Sequence, residues 1–130
     1  YIADQHPAAG LAPAPGTLDR ARLQEWLNMI ATELHKSFTP MFRGAGDEWK
    51  NAALDNIRRR FDFVAQRLTT HPFLMGERFS VADAYLFTVL SWTGFVKIDM
   101  SPWPALQAFS QRVGERPAVQ AALRAEGLLK

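Results

Sequence analysis

Residues 79–92, FSVADAYLFTVLSW, decide the fold of this chain. Ser80 stands where the N-cap of a helix is expected, and Asp83 follows three residues later. This spacing predicts a capping box, in which each side chain binds the other residue's free backbone amide. Beyond the cap, apolar side chains point in nearly every direction around the predicted helix: Val81, Ala84, Tyr85, Leu86, Phe87, Val89, Leu90 and Trp92. A helix that is apolar on all sides is typically buried on all sides, so we expect it at the centre of the domain.

Further helices are predicted on both sides of this segment. Thr17 is expected to cap a helix that Pro40 kinks or ends, and Asp47 begins a second one. A helix precedes Pro117, and a short last helix starts there and stops at Gly127. The two longest have apolar stripes at steps of three and four: Leu23, Leu27, Ile30 and Leu34, then Leu54, Ile57, Phe61, Val64 and Leu68. Because no segment alternates with a period of two, the expected fold class is all-α, a bundle of about five helices.

The composition narrows the possible partners. The 130 residues suffice for one domain, and 15 Lys and Arg against 13 Asp and Glu give a net charge of +2. That charge does not indicate a nucleic-acid or membrane partner, and the run 58–60, RRR, lacks interleaved aromatic residues. No apolar run is long enough to span a membrane, and no signal peptide is recognisable. The absence of cysteine excludes a disulfide, a zinc–thiolate site and a thiol nucleophile within these residues.

The first 16 residues differ from the rest of the chain. Residues 1–4, YIAD, are typical of the end of a helix, and residues 5–16 hold three prolines and two glycines. Such a segment predicts an extended linker, with Leu11 as its anchor. We therefore expect residues 1–16 to be the end of a preceding domain's last helix plus an interdomain linker. Residues 17–130 are then the helical domain itself.

An uncharged polar stripe is predicted on the first long helix. On a helical wheel, Asn28, Thr32 and His35 lie apart from the apolar stripe and from the charged residues. Such a stripe suits a polar ligand or a facing domain, although a plain exposed face is the alternative on this pattern alone. No second histidine or carboxylate stands at a metal-ligand spacing from His35, so no metal site is expected.

Three motifs together resemble the C-terminal helical domain of a bacterial glutathione S-transferase, most closely of the beta class. They are WLNMIATELHKSFTPMF at 26–42, GERFSVADAYLFTVLSW at 76–92 and ERPAVQAALRAEGL at 115–128. The resemblance implies a cytoplasmic, two-domain, homodimeric enzyme that conjugates glutathione to small hydrophobic electrophiles, with glutathione as co-substrate and no other cofactor. It also implies that an N-terminal thioredoxin-like domain, absent from this chain, carries the active-site cysteine, so that the isolated chain is inactive.

The resemblance further implies the roles of individual residues. Glutathione binding falls on Asn28, Thr32, Glu33, Leu34 and His35. The pocket for the hydrophobic substrate falls on Lys36, Phe38, Phe42 and Trp92. His35 is the expected catalytic residue, which donates or accepts a hydrogen bond in the site.

One alternative function is kept beside the enzyme. Domains of this fold also serve as non-catalytic interaction and assembly modules. The sequence that precedes this chain discriminates between the two, because a thioredoxin-like domain with a cysteine near its start supports the enzyme. The intact stretch from Asn28 to Lys36 favours the enzyme, since assembly alone would not need those groups.

Overall fold

The computed structural model describes residues 1–129, in which seven α-helices follow one another along the chain. They are α1 (Ile2–Gln5), α2 (Leu18–Met29), α3 (Thr39–Phe42), α4 (Asp47–Thr70), α5 (Val81–Val96), α6 (Pro104–Gly114) and α7 (Pro117–Ala125). Five of these have nine residues or more. Among the described residues the only β-type pairing is one isolated bridge between Phe73 and Gly76. The predicted all-α fold of about five helices is therefore confirmed.

The first long helix does not end where the sequence suggested. Thr17 caps α2 as predicted, since its Oγ1 accepts a hydrogen bond of 3.2 Å from the amide of Arg20. After α2 the chain stays helical through a π-helical turn, Ile30–Leu34, and a 3₁₀ turn, His35–Phe38, before α3 begins. Pro40 lies in the first turn of α3, where its missing amide leaves no helical hydrogen bond unmade. The departure from α-helical geometry thus begins at Ile30 rather than at Pro40.

Helix α4 supports this irregular stretch. Widening of a helical turn releases backbone carbonyls from their usual partners, and other donors must replace those partners. The Glu33 carbonyl accepts hydrogen bonds from Ser37 Oγ at 2.6 Å and from Asn56 Nδ2 at 3.2 Å. Asn56 Nδ2 also donates to Ser37 Oγ at 2.6 Å. Asn56 on α4 therefore stabilises the segment that carries His35.

Helix α5 contributes to the core, but it is not buried on all sides, contrary to the prediction from its sequence. Its core side includes Leu86 and Val89, which are completely buried with side chains of α2, α4 and α6. Its open side carries exposed Ala84, Thr88 and Phe95, with 69% of Phe95 accessible. The prediction was wrong because apolar composition alone does not say on how many sides other elements cover a helix.

Ser80 and Asp83 form the capping box at the start of α5. Both are buried, and Asp83 Oδ2 accepts hydrogen bonds of 2.8 Å from the Ser80 amide and from Ser80 Oγ. Asp83 Oδ1 accepts a third, also 2.8 Å, from the amide of Leu74 in the preceding loop. Burial raises the pKa of Asp83, and these hydrogen bonds oppose the rise because they favour the carboxylate. Asp83 thus fixes both the start of α5 and the loop before it.

The first 16 residues are folded onto the helices rather than extended. Pro7–Ala9 form a 3₁₀ turn, and the Leu11 carbonyl accepts a 3.0 Å hydrogen bond from the amide of Val81, the first residue of α5. Arg20 on α2 donates from Nε to the Pro13 carbonyl at 2.8 Å and also forms an ion pair with Asp4. The division into a linker up to residue 16 and a domain from residue 17 stays a prediction.

Candidate functional site

The irregular helix presents His35 beside α5. Residues that are seven apart lie on nearly the same face of an α-helix, so Tyr85 and Trp92 share one face of α5. His35 Nδ1 lies 2.7 Å from the Tyr85 hydroxyl, at hydrogen-bonding distance. The imidazole also meets the Trp92 ring edge to face, with the centroids 4.7 Å apart and the planes at 85°. These two contacts define the position of the imidazole, although the side chain is exposed.

Trp92 is the centre of an aromatic cluster, which we define as His35, Phe38, Phe42, Tyr85 and Trp92. Its ring meets Phe38 and Phe42 at centroid distances of 5.6 and 5.5 Å, with interplanar angles of 79° and 84°. Such edge-to-face pairs are the arrangement that aromatic quadrupoles favour. Phe38 is completely buried, so the prediction that it lines the substrate pocket was wrong, and its ring instead supports the cluster from behind. Phe42, by contrast, is 53% accessible. The outer part of the cluster is therefore an apolar surface next to an imidazole.

The polar stripe continues from His35 along the same helix. Asn28 and Thr32 are exposed, and Thr32 Oγ1 donates a 2.9 Å hydrogen bond to the Asn28 carbonyl. The Thr32 oxygen can still accept a hydrogen bond, and the Asn28 amide offers both donors and an acceptor. Asn28, Thr32 and His35 are thus exposed polar residues along one helical stretch, and His35 is the one that contacts the aromatic cluster.

Three other predicted residues point elsewhere. Leu34 has no accessible surface and packs in the core, so its side chain cannot contact a ligand. The Glu33 carboxylate faces α4, where Oε2 accepts a hydrogen bond of 2.6 Å from Arg60 Nη2. Lys36 lines a separate cavity of about 300 Å³ with Trp49 and other residues of α4. Neighbouring residues of a helix diverge by about 100° each, which explains why this continuous stretch does not converge on one site.

Tyr85 is the site residue that sequence reasoning missed. The sequence pattern places it among the apolar side chains of the core helix, but it is only half-buried and its hydroxyl reaches His35. A tyrosine that is partly buried usually needs a hydrogen-bonding partner for its polar tip. The spacing of Tyr85 from Trp92 was the available signal that both side chains face the same neighbour.

Other site types find little support in the described part of the chain. Residues 1–129 contain no group of three or more His, Cys, Asp and Glu side chains that could hold a metal ion. No helix within these residues is both long and apolar enough to cross a membrane. A cavity of about 360 Å³ next to Trp26, Phe63 and Met75 is lined by none of the predicted site residues.

Comparison with protein families decides the affiliation. The family model described as "Glutathione S-transferase, C-terminal domain" matches residues 17–117. The chain belongs to the glutathione S-transferase family. This match agrees with the all-α architecture and confirms the resemblance seen in the three sequence motifs.

Similar proteins include bacterial glutathione S-transferases. Glutathione S-transferase GstA of Escherichia coli O157:H7 is 43% identical over 129 residues, which cover 98% of this chain and 64% of GstA. A ternary complex of BphK, a bacterial glutathione S-transferase, superimposes with a TM-score of 0.97 at 56% identity, covering 98% of this chain and 64% of the other. The beta class enzyme of Sphingomonas chungbukensis gives 0.94 at 46% identity, with coverages of 99% and 65%. The chain thus spans 64% of the length of GstA, and the beta-class resemblance is confirmed.

Proposed function

We propose that this chain forms the electrophile-binding half, and part of the glutathione-binding half, of a glutathione S-transferase. The observation that carries the proposal is the exposed polar surface of Asn28, Thr32 and His35 beside the open part of the aromatic cluster. A polar tripeptide fits the first surface and an apolar electrophile fits the second. The names of the similar bacterial proteins support this reading.

The chain acts by placing two substrates side by side. In conjugation, the glutathione thiolate attacks an electrophilic carbon; the sulfur–carbon bond forms while the leaving group departs with its electron pair. Holding both reactants in contact supplies a large share of such catalysis. Asn28 and Thr32 hold glutathione and His35 hydrogen-bonds in the site, while Phe42 and Trp92 provide apolar contact. The backbones of Glu33 and Leu34 complete the proposed glutathione contacts, whereas the Lys36 side chain lines the separate cavity beside Trp49 and takes no part in them.

The proposed enzyme needs a second domain that supplies the rest of the glutathione site. The nucleophile is the thiolate of glutathione itself, and because these 130 residues contain no cysteine, the active-site cysteine of the proposed enzyme belongs to another domain. A thioredoxin-like domain with the remaining glutathione contacts, in a cytoplasmic homodimer, completes the site, and no cofactor besides glutathione takes part. The net charge of +2 favours neither a nucleic-acid nor a membrane partner.

Calorimetric titration with glutathione tests the proposal. The chain is titrated alone and after mixing with a separately produced thioredoxin-like domain. Binding only in the mixture, weakened by His35→Ala but unchanged by Thr88→Val on the open side of α5, is the expected result. No binding in either sample would refute the enzyme assignment and favour the non-catalytic interaction module.

A further inference from the structure

The hydroxyl of Tyr85 is bound to the imidazole that the proposed function places at the centre of the site. The Oη–Nδ1 distance of 2.7 Å is short, and the two rings also meet nearly edge to face, with centroids 5.9 Å apart at 73°. Tyr85 comes from α5 and His35 from the irregular helix, 50 residues earlier. The contact therefore joins two separate elements and is not a consequence of local helix geometry.

The relative acidity and basicity of the Tyr85 hydroxyl and the His35 imidazole decide which group donates the hydrogen bond. A tyrosine hydroxyl both donates and accepts, while a neutral imidazole has one donor nitrogen and one acceptor nitrogen. The imidazole acceptor nitrogen is a stronger base than a phenol oxygen, whose lone pair is delocalised into the ring, and a phenol O–H is a stronger acid than an imidazole N–H. The better bond therefore runs from Tyr85 O–H to His35 Nδ1. Because the proton of one ring nitrogen is set by the bond of the other, the neutral ring then carries its proton on Nε2.

We propose that Tyr85 is a positioning residue that holds neutral His35 in the Nε2–H tautomer and so makes it a hydrogen-bond donor toward the bound substrate. Within residues 1–129, His35 Nε2 takes part in no hydrogen bond, which leaves that N–H available to a ligand. A donor of this kind binds an acceptor such as a carboxylate or a peptide carbonyl of glutathione. The proposal rests on the proposed function for the identity of the substrate, but the tautomer itself does not.

His71 provides a reference in the same chain, because its hydrogen bonds favour the opposite tautomer, with the proton on Nδ1. Arg67 Nη1 lies 3.3 Å from His71 Nε2, and a guanidinium only donates, so His71 Nε2 must be the acceptor. The proton of His71 is then on Nδ1, which lies 2.8 Å from Thr70 Oγ1. His6 is exposed and gives the signal of a solvated imidazole.

Long-range ¹H–¹⁵N spectra of the full-length protein with labelled histidine test the proposal directly. Spectra are recorded at about pH 8, where an ordinary imidazole is neutral. His35 should show the proton on Nε2, opposite to His71. Tyr85→Phe should move His35 toward the pattern of His6, whereas Thr88→Val, which removes a hydroxyl elsewhere on α5, should not. A His35 proton on Nδ1, or no change in Tyr85→Phe, would overturn the proposal.

Kinetics of the full-length protein test whether Tyr85 acts through His35. Tyr85→Phe should lower kcat/KM about three- to tenfold, the value of one hydrogen bond, and should have no further effect once His35 is alanine. Independent, additive losses would show that Tyr85 does not act through His35. Absence of any transferase activity in the unmodified protein would refute the proposed function alone, and the spectra would then still decide the role of Tyr85.

Discussion

Asp83→Ala should be among the most damaging single substitutions in this domain. Asp83 is completely buried and accepts hydrogen bonds of 2.8 Å from the Leu74 amide, the Ser80 amide and Ser80 Oγ. Alanine would leave two backbone amides without a partner in a site that is closed to water. Each such loss costs about 1–3 kcal/mol, while removal of a buried carboxylate recovers part of its desolvation cost, so we expect a net loss of about 2–4 kcal/mol.

Urea unfolding, followed by circular dichroism, measures this loss. With a slope of about 2 kcal/mol per molar urea, a loss of about 2–4 kcal/mol should lower the midpoint by about 1–2 M. Ser80→Ala removes the Ser80 hydroxyl but leaves the Leu74 and Ser80 amides bonded to the Asp83 carboxylate, so it should cost only about 1 kcal/mol. Asp99→Ala is the matched control, because Asp99 also accepts from a neighbouring amide and hydroxyl but is exposed. If Asp83→Ala unfolds at the same urea concentration as Asp99→Ala, the reasoning from buried amides is wrong.

Three further outcomes follow from the structure. Burial raises the pKa of Asp83, so the native state holds the carboxyl proton more tightly than the unfolded state does. The stability of the parent protein relative to Asp83→Asn should therefore be highest below about pH 4 and should fall as the pH rises through the native pKa. A difference in melting temperature that stays constant with pH would contradict this. Asn56→Ala removes the hydrogen-bond donor to the Glu33 carbonyl and Ser37 Oγ, so it should lower the free energy of unfolding by about 1 kcal/mol and speed amide exchange between residues 30 and 38. Slower or unchanged exchange there would count against the supporting role of Asn56. On the proposed function, Trp92→Leu removes an aromatic ring that would contact the electrophile, so it should raise KM for an aromatic electrophile about three- to tenfold more than KM for glutathione. Equal effects on the two KM values would place Trp92 outside the proposed electrophile site.

The local features of the fold were readable because they depend on neighbours in sequence. Thr17 and the pair Ser80 and Asp83 begin helices as expected, since caps act over three residues. The apolar stripe with Ile57 and Phe61 faces the core, since its period matches the helix. The exposed position of His35 was also consistent with a helical wheel.

The features that failed depend on contacts between distant residues. The π-helical turn at Ile30–Leu34 is supported by Asn56 from another helix, and no pattern within the turn predicts that support. A contact with a distant residue also directs Glu33 away from His35, because Arg60 on α4 binds the Glu33 carboxylate. A wheel with constant steps cannot anticipate such a change of helical pitch.

The sequence by itself determined the helices, their caps and the family, because helix propensity, capping and apolar periodicity act within a few residues of the chain. Only the tertiary structure decided which of the predicted site residues meet. It brought Tyr85 and Trp92 of α5 to His35, placed Leu34 in the core and directed Lys36 toward a different cavity. The physical reason is that a site is made of side chains far apart in sequence, whose directions are set by how whole helices pack against each other.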